Sequence, residues 1–349
     1  MRLCVRLSRR ERWATTPAPE GHDRWTWGIS GCDTLADFAN LVLAGRVFRL
    51  VRPSFFGATL LPFAKKDEGL RPIAVGLTLR KLVAKAVATV TTASCISVLA
   101  PSQLGVGTKG GAEAVVHAAR RYLDAMSEDR AFVKLDFTNA FNSIRRDSVF
   151  EAVAATCPDL LPYVLSSYAT PSNLWLGDKI ISSEEGVQQG DPLDPLLFCL
   201  TIHPLISGCN CEFVTGYLDD VGMGDTVPRL IEHLRILETE ALSLGLSLNH
   251  AKCEIVGLAP TETLAWHKSG LSFIITDRKD TCLLGSPLSP DGVDAAVKAK
   301  EAELREVVPR LRRLASHEAF YLLKSCLAVP RLQYMLRSSP TFASKTLPG

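Results

Sequence analysis

Asp219 and Asp220 stand side by side in GYLDDVGMGD, residues 216–225. Phe213, Val214, Tyr217 and Leu218 lead into the pair, and Val221 and Met223 lead out of it. Two chemistries fit adjacent carboxylates in such a place. One is a plain β-hairpin turn, because Asp is a good turn residue. The other is a site for a hard divalent cation, which prefers oxygen ligands and relieves the repulsion between neighbouring acids. A third acid, Asp136, lies in FVKLDFTNAFNSI between Leu135 and Phe137. Alone it reads as a turn former or cap. If its strand lies beside the Asp219–Asp220 hairpin, the three carboxylates can bind two Mg²⁺ ions about 3.5–4 Å apart for in-line phosphoryl transfer. Between these acids runs EEGVQQGDPLDPLLF, where glycine and proline bracket Gln189 and Asp191. Bare backbone near glycine and a following helix N-terminus favour close approach by a polar ligand. By itself, the segment reads more plainly as an ordinary strand-loop-helix connection.

Positioning these acids takes two strands in one sheet. AFVKLDF is predicted to be one, and the apolar runs around Asp219 and Asp220 the other hairpin. GATLLPFA and RPIAV form a further hairpin across KKDEGL, and LTLRKLVAKAVATV reads as a helix. GTKGGAEAVVHAARRYLDAM starts as a Gly-rich loop and becomes a helix with Val115, Ala119, Tyr122, Leu123 and Met126 on its apolar stripe. Asp147 is placed as the cap of a helix over SVFEAV, and Asp194 as an N-cap with Pro195 at the first helical position. Pro228 opens a helix with Leu230, Leu234, Leu237, Ala241 and Leu244 on one face, and Gly245 ends it. SLNHAKCEIV reads as a second hairpin. The last 60 or so residues are mostly helical, interrupted near Pro309 and Pro330, while residues 1–40 show no clear periodicity. Strands in the middle with helices between and after them make an α+β pattern.

The 349 residues are 47% hydrophobic and 22% charged, which describes a globular chain and excludes disorder. No uninterrupted apolar run approaches a membrane span of about 18 residues. The Arg-rich start, MRLCVRLSRRERW, holds no signal-peptide core and reads as a solvated tail. Ten cysteines without a CxxC spacing read as reduced thiols of an intracellular protein, in nucleus or cytoplasm. The net charge of +2 does not announce a nucleic-acid partner. Two local patches do more: Lys65, Lys66, Arg71, Arg80, Lys81 and Lys85, and then Lys298, Lys300, Arg305, Arg310, Arg312 and Arg313. Either reads equally as a solvated helix face. Asp225 reads as a surface residue.

The order of the pieces resembles the reverse transcriptase domain of non-LTR (LINE-like) retrotransposons, over roughly residues 55–337. KLDFTNAFNSI resembles the family's first palm motif, GVQQGDPLDPLLF its second, and YLDD its Y-x-D-D box. GLSLNHAKCEIV resembles the lysine motif, LPFAKKDEGLRPIAV a fingers motif, and LLGSPL the primer-grip hairpin. The resemblance implies a right-hand polymerase fold. Residues 1–54 are left unassigned. Fingers fall at about 55–85 and 151–188, palm at about 86–150 and 189–290, and a partial helical thumb over 291–349. It implies RNA-directed DNA synthesis on an RNA template and DNA primer with dNTPs, two Mg²⁺ ions (Mn²⁺ being the alternative), no membrane, and no assigned oligomeric state. Asp136, Asp219 and Asp220 are the implied metal ligands and Lys252 the implied general acid. Lys65 (or Lys66) and Arg71 are implied on the triphosphate, Phe137 through its carbonyl, Phe141 under the incoming sugar, and Gln189 and Gly190 against nucleotide and template. The family usually has Gly where this chain has Asp194, which places an extra acid near the nucleotide. The chain also shows no endonuclease motif and no Cys/His knuckle, as expected of a piece of a retrotransposon polyprotein. A decayed or repurposed copy that binds nucleic acid without polymerising therefore stays open beside the enzyme.

Overall fold

The computed structural model describes residues 29–64 and 69–343, with side chains from residue 33 onward. The Arg-rich start and the lysines at 65 and 66 lie outside the described residues.

Helices α1 (Ile29–Leu43) and α2 (Arg52–Phe55) come first, in the part of the sequence without visible periodicity. They are followed by the hairpin β1 (Ala58–Ala64) and β2 (Leu70–Gly76) and by the long α3 (Thr78–Leu99). α4 (Gly111–Ala125) leads into β3 (Arg130–Leu135), then α5 (Ala140–Ser143), α6 (Arg146–Thr156) and α7 (Leu161–Tyr168). The hairpin β4 (Ser172–Leu176) and β5 (Lys179–Ser183) precedes α8 (Asp194–Ser207). A second hairpin, β6 (Phe213–Tyr217) and β7 (Asp220–Thr226), runs into α9 (Val227–Ser243). After β8 (Glu254–Val256), α10 (Pro260–Lys268) and β9 (Ile274–Thr276) comes the small hairpin β10 (Cys282–Leu283) and β11 (Ser286–Pro287). The chain then continues through α11 (Pro290–Leu311), α12 (Ser316–Leu322) and α13 (Val329–Ser338). The mixture is α+β, as the element pattern predicts.

Two compact units share the chain. One holds the residues up to Cys95 with Phe141–Thr201, the other Ile96–Ala140 with everything from Ile202. The chain passes between them after Cys95, Ala140 and Thr201.

In the first unit the strand order is β2-β1-β4-β5. β1 pairs with β2 antiparallel from Ala58↔Gly76 to Ala64↔Leu70, so the hairpin expected across 65–69 forms. α3 buries Val83, Ala84, Val87, Thr91 and Cys95, a stripe at helical spacing. By length and composition α3 is also apolar enough to cross a membrane. The sequence reading missed this because Arg80, Lys81 and Lys85 interrupt only its first turns.

The second unit is built on a five-stranded sheet, β6-β7-β3-β8-β9. β3 is central, and Ala131, Phe132, Val133 and Leu135 are all buried. On one face Phe132 and Val256 pack against Val115, Val116, Ala119 and Leu123 of α4. α9 packs on the sheet through Leu230, Leu234, Leu237 and Ala241, the stripe read from its spacing. Gly224 of β7 leaves room for the α4 side: a Cβ there would lie 2.3 Å from Tyr122 Cε1. That ring is stacked on Phe213 at 5.0 Å.

Three local expectations need correction. SLNHAKCEIV is not a hairpin, because its backbone bonds go elsewhere: Thr138 N–H donates to Ser247 O at 2.9 Å and Asn249 N–H to Asp136 O at 2.8 Å. Only β8 is a strand there, paired antiparallel to β3. Asp147 makes no cap; Arg145 is the N-cap residue and pairs with Asp147 at 3.8 Å. Asp225 is not a surface residue. It is buried, accepting from Glu212 N at 3.1 Å and Thr226 N at 2.7 Å, with Arg229 at 3.5 Å. The break expected near Pro309 falls just beyond it, since α11 runs to Leu311 and α12 begins at Ser316.

Candidate active site

β7 lies antiparallel beside β3 with Leu135 opposite Val221. Just beyond that pair come Asp136 and Asp220, which line one cleft. β6 and β7 are joined by Leu218 and Asp219 alone, and the hairpin closes on the pair Tyr217↔Asp220. The sheet therefore brings the three acids of the sequence reading to one end of two neighbouring strands. Asp136 is held from the β8 side, where Cys253 Sγ accepts from its N–H at 3.4 Å and its carbonyl accepts from Asn249 N–H. A cleft of about 350 Å³ is lined by Lys134, Asp136, Asp220, Lys252, Glu254 and Ile274. Lys252, an exposed residue, thus shares a cleft with two of the acids. Lys134 in the same cleft is paired with Glu254 at 2.6 Å.

The acids feel one another. Asp220 is exposed as a residue, yet the protein packed around its carboxyl, then the charges of Asp219 and Asp136, push it up to about 6 against the pull of Lys134. Among the described residues no three His, Cys, Asp or Glu side chains already converge as a metal cage. The donor set nonetheless fits a divalent cation: hard oxygen ligands whose mutual repulsion such an ion relieves.

One residue at this site escaped the sequence reading. Gln103 is buried, and its side-chain amide holds both backbone groups of Leu218. Leu218 N–H donates to Oε1 at 2.9 Å, and Nε2 donates to Leu218 O at 3.0 Å. Nothing local marks it: a Gln in PSQLGVG, 115 positions before its partner, carries no periodic or turn signal.

Arg71, Phe141, Gln189 and Gly190 belong to the other unit. Arg71 is exposed on β2 opposite Phe63. Gln189 O accepts from Ala74 N–H at 2.7 Å. Gly190 has φ 125°, and a Cβ there would sit 2.5 Å from Ala74 O. Only glycine fits this close approach of two backbones. Phe141 is buried, its ring stacked on Phe198 at 4.4 Å. In the second unit Phe137 is likewise buried, bridged to Leu248.

The loop between β5 and α8 is anchored by two arginines. Arg146 donates to Ser183 Oγ at 2.9 Å and to the carbonyls of Glu185 and Gly186. The guanidinium also lies over the Tyr168 ring at 5.2 Å. Arg80, 1% exposed, pairs with Asp191 at 2.9 Å and donates to Gln188 Oε1 at 2.7 Å. Between them Tyr168 Oη donates to Asp194 Oδ1 at 2.7 Å and accepts from Gln188 N–H at 3.3 Å. This corrects the reading of Asp194 twice. It is not the helix cap, because its Oδ1 is taken by Tyr168, its Oδ2 has no hydrogen-bond partner among the described residues, and Asp194 is already the first residue of α8. Nor is it an exposed charge, since it is 1% exposed. Burial, then the charge of Asp191, raises its carboxyl well above the usual range, against Arg80 and the bonds from Tyr168 and Gln188.

The family described as reverse transcriptase (RNA-dependent DNA polymerase) matches residues 63–286. The chain is 27% identical over 230 residues to the Retrovirus-related Pol polyprotein from type-2 retrotransposable element R2DM of Drosophila melanogaster, covering 60% of this chain and 21% of that protein. It is 26% identical over 237 residues to the corresponding polyprotein from type-1 retrotransposable element R2 of Popillia japonica, covering 59% and 38%. The chain thus spans well under half the length of these relatives. Among solved structures, apo telomerase from Candida tropicalis superposes with a TM-score of 0.46 at 11% identity, over 64% of this chain and 49% of that one.

Proposed function

Because the chain belongs to the reverse transcriptase (RNA-dependent DNA polymerase) family, we propose that it extends a DNA primer on an RNA template, transferring a deoxynucleotide from a dNTP to the primer 3′-OH. The observation that supports this reading is the β3–β7 pairing, which ends at Leu135↔Val221, and the cleft beyond it that Asp136, Asp220 and Lys252 line, with Asp219 next in sequence to Asp220. Family membership implies a divalent cation in general. Asp136, Asp219 and Asp220 are the residues that would hold two Mg²⁺ ions, with Mn²⁺ the alternative. When bound, the ions supply charge neutralisation at the transferring phosphate and a more acidic 3′-OH.

The remaining roles belong to the chain's own groups. Lys252 protonates the departing pyrophosphate as a general acid. Arg71 contacts the triphosphate with forked hydrogen bonds, and Lys65 or Lys66 supplies a second cation to it. Gly190 and Gln189 pack against nucleotide and template, and Phe137 offers its carbonyl. Phe141 discriminates against a 2′-OH, and its stack on Phe198 supports a rigid ring in that role. We label β1, β2, β4 and β5 with α7 as fingers, the five-stranded sheet with α4 and α9 as palm, and α11–α13 as a partial thumb. The arginine-rich end of α11 would hold the template–primer through phosphates, as a polymerase that accepts any sequence requires.

Nucleic-acid binding without synthesis drew part of its support from Asp194. That support weakens, since Asp194 is buried and bonded to Tyr168 rather than set as a charge before a triphosphate. Extension of oligo(dT) on poly(rA) with Mg²⁺, dTTP and an EDTA control decides between the two. Metal-dependent extension supports the enzyme; retention of the template–primer with no extension at any Mg²⁺ or Mn²⁺ concentration supports the binder.

A further inference from the structure

Leu218 is a branched residue in a conformation that suits glycine, with φ 57°. It occupies the first position of the two-residue connection that presents Asp219 and starts the strand of Asp220. A side chain in the left-handed region strains the backbone, and such a residue persists only where its surroundings over-determine it. Here they do. A single buried amide takes both the N–H and the C=O of Leu218, at 2.9 and 3.0 Å.

Gln103 is itself fixed by its backbone. Its N–H donates to Leu99 O at 2.9 Å. The residues on either side of it are stitched to the hairpin: Gly216 N–H donates to Ser102 O at 2.7 Å and Leu104 N–H to Gly216 O at 2.8 Å. Gly105 N–H donates to the same Oε1 at 3.0 Å, and a Cβ at Gly105 would fall 2.4 Å from Leu218 N. The loop before α4 and the acidic turn therefore behave as one body, with the Gln103 amide as the only side-chain group among the described residues spanning both faces of the Leu218 peptide.

We infer that Gln103 is a positioning residue for Asp219 and Asp220: its amide clamps Leu218 in the left-handed conformation that aims the two carboxylates. The chemistry demands an amide of this length. Leu218 needs one donor and one acceptor at once; a carboxylate supplies only acceptors, Asn is a methylene short, and Ala supplies neither. The inference rests on the polymerase reading for its activity readout and on the fold alone for its structural one.

The test compares the full chain with Gln103→Ala, Gln103→Glu and the double variant Gln103→Ala/Leu218→Gly. Extension on poly(rA)/oligo(dT) is measured at varied dTTP and varied Mg²⁺, and amide hydrogen exchange is followed over residues 214–222. Both single variants are expected to lower kcat about tenfold or more, since small misplacements of reacting groups cost that much. Their KM for dTTP should stay within about twofold, because the amide touches no substrate. Mg²⁺ demand should rise, and exchange at the turn should quicken while thermal midpoints hold. Gly at 218 adopts the conformation without strain, so the double variant should recover part of kcat. Unchanged kcat in Gln103→Glu overturns the inference. So does a loss of kcat that tracks a fall in melting temperature with no recovery by Leu218→Gly. Should the unaltered chain extend nothing, the polymerase reading fails separately. The exchange arm then decides the clamp, and unchanged protection of the Leu218 amide in Gln103→Ala overturns it.

Discussion

At the scale of single residues, two aspartates with opposite environments make opposite predictions. Asp219 sits at a partly open turn beside another acid. Asp219→Asn removes a ligand charge where developing negative charge must be balanced, so extension should fall by about 10²-fold or more. Circular dichroism should show the fold intact. Near wild-type extension by a folded Asp219→Asn protein would remove Asp219 from the ligand set. Asp194 is the reverse case, a carboxyl sealed in the core. Around it stand Asp191, Arg80, Arg146, Tyr163 and Tyr168. Its folded carboxyl titrates above its ordinary range, whereas in the unfolded chain it releases its proton above about pH 4. The folded state therefore holds a proton that the unfolded state has lost. Stability is fully present below pH 4 and drains away as pH rises through the folded value, by at most about 1.4 kcal/mol per pH unit. Asp194→Asn keeps the shape and abolishes the slope. Urea titrations from pH 4 to 8 should show the variant gaining on the wild type with each step upward, and parallel curves would place an ionised Asp194 in the core.

At the scale of elements, what was legible in the sequence was local. β3 announced itself by an apolar run ending at Asp136, the β6–β7 hairpin by two β-prone runs meeting at Leu218 and Asp219, and α9 by Pro228, a leucine stripe and Gly245. Each of these signals lies within about one element length. The remaining features depend on partners far along the chain. Gln103 reaches 115 positions to Leu218, and Tyr168 reaches 26 to Asp194. SLNHAKCEIV has the composition of a hairpin, but its backbone groups are taken by Asp136 and Thr138. The rule for helix starts found the beginning of α8, yet it could not foresee that Tyr168, 26 positions earlier, takes the Asp194 carboxylate. Packing between elements is equally invisible in sequence, and Gly224 shows its cost. A Cβ there meets Tyr122, whose ring cannot swing away freely because Phe213 stacks on it and Phe132 lies 6.4 Å off. Gly224→Ala should destabilise by about 1–3 kcal/mol, the usual range for overpacking a full core. Tyr122→Leu on that background should restore part of the loss. Equal denaturation midpoints for Gly224→Ala and wild type would mean that the aromatic cluster has slack.

At the scale of the whole molecule, charge decides how nucleic acid is held. The chain carries 39 Lys and Arg against 37 Asp and Glu, so no overall field draws a polyanion to it. Attraction has to come from local groups whose charge is not already spent. The second basic patch divides on this test. Lys300 is paired with Glu303 at 3.0 Å and Arg305 with Glu301 at 2.7 Å, both within α11. Arg331 of α13 also reaches Glu303, at 3.4 Å. Arg310, Arg312 and Arg313, at the end of the same helix, are exposed and have no carboxylate partner among the described residues. α13 in turn is tied to α4, Arg337 to Glu113 at 2.8 Å and Arg120 to Ser338 O at 3.0 Å, and these helices lie in the same compact unit as the acids. Removing one cation that neutralises a phosphate should flatten the salt dependence of log K by about 0.9. Replacing all three arginines by Gln should therefore weaken binding to an RNA–DNA duplex and lower the slope by about 2–3. The pair Lys300→Gln/Arg305→Gln should change the slope by well under 1, because those cations are already spent on neighbouring carboxylates. Fluorescence anisotropy of a labelled duplex between 50 and 300 mM KCl reads both. If the triple variant leaves the slope where it was, the end of α11 holds no phosphate and the duplex is carried elsewhere on the chain.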